Sequence, residues 1–336
     1  YYVQGYFEYD SKKSGGVTVS NLRFSDQPIN KPYYVTKSLI TVVTKFEYFY
    51  KYEMLDSLDE GGTLLISTDL NEEEIKKELP SKVKNIILDK KLNVLFIDAD
   101  ELALKHNLKG KISKIMEMVI LHLMDLDDAK NELIESIKNQ FKTKGEEIIN
   151  NNIAVVNEAI DNIKVLKIDF NKEEIKDNNE DDIFSKIMAR KGNLLTVKDC
   201  LAIKDGSFPI DLSKREKRNI AIETPVWQPE NCIECGQCSL VCPHAVIRNF
   251  VSKDKDGIPL LGNNDYNFKI LISTLDCTGC GSCVNVCPGK NGKKALTMES
   301  NVKDSNVKEY FENYENPNVI DKYTVKGSQL QKPLME

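Results

Sequence analysis

The chain has 336 residues, of which 41% are hydrophobic and 29% charged, with a formal net charge of −6. That length suits about two domains, and the composition is that of a globular chain rather than a disordered one. The acidic balance and scattered lysines speak against general nucleic-acid binding. No apolar run approaches the ~18 residues of a membrane span, and the best, residues 119–123, is interrupted by His122.

Residues 2–9 and 17–24 read as β-rich runs on either side of the loop Asp10-Ser-Lys-Lys-Ser-Gly-Gly16, which ends in turn residues. Residues 39–43 are a short β-branched run. A helical pattern follows over 47–58, with Gly61-Gly62 as its expected stop, and residues 63–67 read as a buried strand. Asp69 is the predicted N-cap of a helix over 72–79. Residues 93–97 form another apolar strand, and Asp98 opens a helix carrying Leu102 and Leu104.

From 111 to about 163 the pattern turns helical. Ile112, Ile115, Met116, Val119 and Leu123 recur at three- and four-residue steps, as do Ile148, Ile149, Ile153, Val156, Ile160 and Ile163. Met116 and Met118 read as core fillers, and the charges over 142–147 as a solvated face. Strands alternating with helices predict an α/β domain with a mostly parallel sheet and helices on its faces. Residues 169–182 are polar and acidic and read as a surface excursion, and 204–225 as an ordered connector. Residues 301–336 are polar and aperiodic, a composition that cannot build its own core.

Eight of the nine cysteines fall in two copies of one spacing. The first is Cys232-x2-Cys235-x2-Cys238-x3-Cys242-Pro243 and the second Cys277-x2-Cys280-x2-Cys283-x3-Cys287-Pro288. This is the bacterial ferredoxin signature for two [4Fe–4S] clusters, in which the fourth cysteine of each run ligates the other cluster. Three sulfurs come from a tight loop, and the fourth must arrive from elsewhere. The expected ligand sets are Cys232, Cys235, Cys238 and Cys287 for one cluster, and Cys277, Cys280, Cys283 and Cys242 for the other. The region from about 227 to 298 is thus expected to be a small α+β ferredoxin-like domain binding both clusters.

Zinc ribbons also use paired C-x2-C runs. They give no reason for three cysteines at x2 spacing followed by x3-Cys-Pro, twice over. Disulfides suit small, cysteine-dense secreted scaffolds, which this chain does not resemble. Reduced thiols point to the cytoplasm or another reducing compartment. Cys200 is left over and reads as an ordinary buried thiol. His106 and His122 lie in helical patterns and read as core or surface residues. His244 follows Cys242-Pro243 and either donates near a cluster sulfur or shapes that loop. With every iron supplied with a cysteine, electron transfer is expected and substrate chemistry at a cluster is not.

Several segments carry more than spacing. They are Gln4-Gly-Tyr-Phe-Glu-Tyr-Asp-Ser-Lys-Lys-Ser-Gly-Gly-Val-Thr-Val-Ser20, Leu22-Arg-Phe24, Gly206-Ser-Phe-Pro209 and Glu216-Lys-Arg-Asn-Ile-Ala221. Trp227-Gln-Pro-Glu-Asn-Cys232 through Cys242-Pro-His-Ala245 with Ile247-Arg248, and Asp276-Cys-Thr-Gly-Cys-Gly281 through Cys287-Pro288, follow them. In this order the segments resemble the pyruvate:ferredoxin (flavodoxin) oxidoreductase family. The resemblance implies oxidative decarboxylation of pyruvate on thiamine diphosphate with Mg2+, with coenzyme A taking the acetyl group. Electrons would leave through three [4Fe–4S] clusters to ferredoxin or flavodoxin.

On that resemblance residues 1–200 correspond to a truncated α/β domain associated with coenzyme A, 201–226 to a linker domain and 227–300 to the two-cluster domain. Residues 301–336 form an extended tail leading toward a thiamine-binding domain that holds the third cluster and lies outside this chain. The chain alone would then not be catalytic, and the whole protein is expected to be a homodimer. Two alternatives stay open. One is the same core fused to an NADPH reductase module. The other is a non-enzymatic ferredoxin fused to a ligand-binding domain.

Lys12 and Lys13 lie beside two glycines, which let backbone N–H groups approach a phosphate. The family role makes coenzyme A their candidate ligand, with Lys111 a third candidate. An ordinary charged hairpin tip is the competing reading. Lys111 stands where the family usually has arginine, keeping the charge without the bidentate fork. Residues 44–50 depart from the family's usual cysteine- and histidine-containing stretch.

Overall fold

The computed structural model describes residues 2–9, 16–126, 128–175, 182–208, 212–253, 256–300 and 302. The chain divides into two units, Asn21–Phe208 with Tyr1–Tyr6, and Pro209–Glu336 with Phe7–Ser20. Strands β1 (Tyr2–Tyr9) and β2 (Thr18–Ser25) pair in a two-stranded sheet of their own.

The first unit is built on a four-stranded sheet of β3 (Ser38–Val43), β4 (Leu58–Ser67), β5 (Asn93–Ile97) and β6 (Lys164–Val165), in that spatial order. β3, β4 and β5 run parallel, and β6 is antiparallel to β5. The mostly parallel sheet expected from the alternation of elements is therefore present. Helices α1 (Tyr48–Lys51), α2 (Glu72–Glu78) and α3 (Ser81–Asp89) lie in the crossovers between these strands. Between β5 and β6 come α4 (Ala99–Lys105), α5 (Ser113–Leu123), α6 (Ala129–Phe141) and α7 (Glu146–Glu158).

The central strand shows why such strands read as unbroken apolar runs. Leu64 and Ile66 point into one core with Ile75 of α2 and Val83 and Ile87 of α3. Leu65 points into the other, with Ile115 and Val119 of α5, Leu133 and Ile137 of α6, and Val155 and Val156 of α7. Two-residue alternation divides β4 between both faces, so Leu64, Leu65 and Ile66 are all apolar and fully buried. Met116 and Met118 are buried in the second core, as the helical spacing implies.

Two expectations need correction here. The helix over 47–58 shrinks to α1, because β4 starts at Leu58 and runs through Gly61-Gly62. Pairing to β3 jumps from Ser38↔Leu58 to Ile40↔Thr63, so β4 bulges where the glycines sit. A Cβ on Gly62 would lie 2.7 Å from Leu58 Cδ1 and 2.9 Å from the Asp59 carbonyl oxygen. The glycines shape a strand rather than stop a helix. The cap of α2 is Asn71, not Asp69. Its side chain accepts from Glu73 and Glu74 N–H, while Glu74 reaches back to the Asn71 N–H. The acidic stretch from 169 lies on the surface over its described part, as read, with residues 171–175 exposed; Glu173 pairs with Lys84 and accepts from Ser81, and Phe170 packs on the first core.

Beyond the sheet, α8 (Ile183–Met188) and α9 (Val197–Cys200) are short helices capped by Asp182 and Thr196. Cys200 is exposed, which overturns the buried reading. No helix among the described residues is long and apolar enough to cross a membrane.

The second unit repeats one motif. β7 (Thr224–Trp227) leads into the first cysteine loop, α10 (Gln237–Val241) and then β8 (Ile247–Ser252). After β9 (Ile258–Leu260), β10 (Asn263–Ile272) leads into the second loop, α11 (Ser282–Val286) and β11 (Leu296–Glu299). Each copy thus runs strand, cysteine loop, helix, fourth cysteine, strand. The strands then pair across copies. β11 lies antiparallel to β7, and β8 antiparallel to β10, with β9 on the other edge of β10. Matching hydrogen bonds underline the duplication: Gln228 N–H donates to the Ala295 carbonyl at 2.8 Å and Ser273 N–H to the Val246 carbonyl at 2.9 Å.

Candidate iron–sulfur sites

The crossed strand pairing decides where each fourth cysteine lands. Cys287 precedes β11, which pairs with the strand entering the first loop. Cys242 precedes β8, which pairs with the strand entering the second. One cavity is accordingly lined by Cys232, Cys235, Cys238 and Cys287, with Ile233, Phe268, Ile270 and Leu296 around them. The other is lined by Cys242, Cys277, Cys280 and Cys283, with His244, Val246, Ile247 and Met298. Each encloses about 340–350 Å³ of empty space, open mouth included.

The third cysteine of each run sits in a short helix. α10 buries Cys238 and α11 buries Cys283, each preceded by a glycine at positive φ, Gly236 and Gly281. Backbone amides turn onto the sulfurs. Ala295 N–H donates to Cys287 Sγ at 3.2 Å, Val246 N–H to Cys242 Sγ at 3.4 Å and Gly279 N–H to Cys277 Sγ at 3.3 Å. Ser282 Oγ lies 3.5 Å from Cys280 Sγ.

As free groups Cys232, Cys238, Cys277 and Cys283 are poor acids. Burial and the neighbouring Cys235 and Cys232 push Cys238 up to about 12, and burial takes Cys283 up to about 11. Burial also raises Cys277 and Cys232. The Glu234 backbone and the Trp227 indole act against that rise at Cys232. Cys280 alone is shifted down, first by the Ser282 hydroxyl. Four thiolates in such surroundings need a positively charged partner. The four cysteines of each set line one cavity, and among the described residues no three His, Cys, Asp or Glu side chains are placed to hold one metal ion.

Two neighbours of the first set had no role assigned from sequence. Glu234 is buried, and its carboxylate accepts from Leu261 N–H at 2.9 Å. Trp227 packs edge-on against Phe268. Trp227 precedes the first cysteine run and Glu234 lies within it, which was the available signal. His244 lines the second cavity. Lys111 is exposed in the turn between α4 and α5, its N–H donating to the Leu108 carbonyl at 2.8 Å. Lys12 and Lys13 lie outside the described residues.

Residues 1–162 match the family model for pyruvate ferredoxin/flavodoxin oxidoreductase, and residues 231–291 the 4Fe-4S dicluster domain. A pyruvate:ferredoxin oxidoreductase of Moorella thermoacetica is 38% identical over the whole chain. The chain belongs to the pyruvate:ferredoxin/flavodoxin oxidoreductase family. A pyruvate-flavodoxin oxidoreductase of Klebsiella pneumoniae is 32% identical, again over the whole chain. A pyruvate dehydrogenase [NADP(+)] of Euglena gracilis is 32% identical over 99% of it. The chain spans 31% of the first two oxidoreductases and 20% of the third. Within the family, then, this segment joins the α/β region to an iron–sulfur domain.

Proposed function

We propose that this chain is the electron-relay segment of a pyruvate:ferredoxin/flavodoxin oxidoreductase, holding one [4Fe–4S] cluster on Cys232, Cys235, Cys238 and Cys287 and another on Cys277, Cys280, Cys283 and Cys242. The observation that carries this is the pair of separate cavities, each lined by three cysteines of one run and the fourth of the other. A bound cluster supplies reversible one-electron transfer. The chain's own part is to hold the sulfurs, direct amides at them and keep water away with apolar walls. N–H donors to sulfur and low exposure are the levers that set cluster potential. With all irons ligated by cysteine, no position is left for substrate.

The source of electrons would be pyruvate oxidised on thiamine diphosphate elsewhere in the complete enzyme, and the acceptor a ferredoxin or flavodoxin. The likeness to the Euglena gracilis protein favours one alternative, delivery toward NADP. The α/β unit would serve coenzyme A. There the candidate phosphate contacts are Lys12 and Lys13, with Lys111 a third. In the complete enzyme, Lys12→Ala with Lys13→Ala should raise KM for coenzyme A and leave iron content unchanged. An unmoved KM returns these lysines to the surface.

Anaerobically purified chain should contain about eight iron and eight acid-labile sulfide per polypeptide, from two cubanes. Stoichiometric zinc without sulfide would sink the proposal. The crossed assignment has its own test. Cys242→Ala and Cys283→Ala should disturb the same electron paramagnetic resonance signal, and Cys287→Ala and Cys238→Ala the other. If Cys242→Ala instead disturbs the Cys238 signal, each run keeps its own cluster.

A further inference from the structure

Trp227 ends β7, five residues before Cys232. Its ring meets Phe268 edge-on, with centroids 6.2 Å apart and planes at 83°. The indole Nε1 is buried and has no hydrogen-bond acceptor among the described residues. An indole N–H can only donate, and a buried donor left unpaired is costly and uncommon in a folded protein. This one belongs with the first cysteine set: Trp227 and Cys232 pack against the same core cluster, around Phe268 and Leu296. The Cys232 sulfur is the acceptor that this shared packing offers the indole.

The duplication shows that this donor belongs to one site alone. β10 ends at Ile272, five residues before Cys277, so Ile272 occupies the place of Trp227 in the second copy. In the second copy the Cys280 thiol donates to the Ser282 hydroxyl at 3.5 Å, and once that sulfur is a cluster ligand only the hydroxyl can donate. Gln237 occupies that place in the first copy. The two sites share backbone scaffolding and differ in the side-chain donors aimed at their sulfurs.

We propose that the Trp227 indole N–H donates to sulfur of the cluster held by Cys232, Cys235, Cys238 and Cys287, at or beside Cys232 Sγ, and raises its reduction potential. This rests on the cluster assignment above. Reduction adds negative charge to a cluster's sulfurs, so a fixed donor stabilises the reduced state more than the oxidised one. Trp227 acts on the electron only through the cluster, as a tuning residue.

Trp227 is the one tryptophan in the chain, so labelling tryptophan with 15N in the indole ring places the label at a single site. Pulsed electron paramagnetic resonance on the reduced two-cluster protein should show 15N hyperfine coupling on one of the two signals. Absence of coupling on both overturns the proposal without any substitution. Trp227→Phe keeps a ring against Phe268 and removes the donor. With iron and sulfide still at about eight each, one midpoint potential should fall by about 59 mV, a tenfold change for one electron. Ser282→Ala should lower the other. Unmoved potentials in Trp227→Phe at full iron content refute the tuning role and leave the cluster assignment standing. A wild-type chain without iron and sulfide refutes the assignment itself.

Discussion

Gly289 shows how tightly single residues are bound to the cluster sites. It sits at φ +61°, and an added Cβ would lie 1.7 Å from the Lys293 carbonyl oxygen. The loop folds back here, Lys290 and Lys293 exchanging hydrogen bonds at 3.0 Å each way. Gly289→Ala must move backbone, and the strained conformation alone costs about 1–3 kcal/mol. The loop carries Cys287 on one side and Ala295, whose N–H holds the Cys287 sulfur, on the other. The displacement should therefore strike the cysteine that crosses to the first set. Iron content is expected to fall from about eight to about four per chain, measured by colorimetric assay. Gly292, at φ +77°, shares the backbone strain, but an added Cβ there meets nothing within 4 Å, so Gly292→Ala should keep its iron. Equal iron in the two variants would refute this account. The sulfur ligands were legible in the sequence because their spacing is a local geometric requirement. The close approach at Gly289, the exposure of Cys200 and the orphaned indole of Trp227 were not, since each is set by what the fold brings alongside.

Among elements, legibility followed whether the neighbours were local. The apolar runs of β5 and of β3 and the recurrent isoleucines of α5 and α7 carry their own period, and they form where the pattern places them. β4 was cut short because Gly61-Gly62 looks like a helix stop, while its bulge depends on pairing with β3. The start of α2 was misplaced because Asp69 and Asn71 are both good caps. Both have a glutamate three residues on, Glu72 and Glu74, but the reciprocal pair forms between Asn71 and Glu74. Asn71→Ala should cost about 1 kcal/mol, and Asp69→Ala far less, by thermal unfolding. Equal effects would reassign the cap. Glu53 gives a pH test. Burial raises its pKa, but hydrogen bonds from Lys191 and Lys82 outweigh it and leave the carboxyl below its ordinary 4.5. A depressed carboxylate stabilises the fold above its unfolded pKa and loses that contribution as pH falls through the folded value. Solvent screens the group, so Glu53→Gln should cost about 1 kcal/mol or less at neutral pH. The gap from wild type should close only below pH 4.5. A gap that stays constant down to strongly acid pH would mean the ion pairs contribute nothing.

On the scale of the whole molecule, the division of chemistry follows from the ligand sets. Each cavity offers four cysteines and an apolar wall, with His244 beside the second, a lining suited to a cluster whose irons are all held by cysteine. The chain spans 31% of its Moorella thermoacetica relative, and the function proposed above leaves cleavage of the carbon–carbon bond to the rest of the complete enzyme. The 336-residue chain carrying its clusters should take electrons from dithionite and pass them to a ferredoxin or a low-potential dye. Given pyruvate, thiamine diphosphate, Mg2+ and coenzyme A, it should form no acetyl-CoA, and its broad visible absorbance should stay unbleached. Restoring the remaining two thirds of the polypeptide should make bleaching by pyruvate depend on coenzyme A and on both cysteine sets, Cys238→Ala and Cys283→Ala each stopping delivery to the acceptor. Acetyl-CoA from the short chain alone would place the decarboxylation machinery within these residues and overturn the relay reading. Continued electron delivery in either cysteine variant would show that the matching cluster lies off the path.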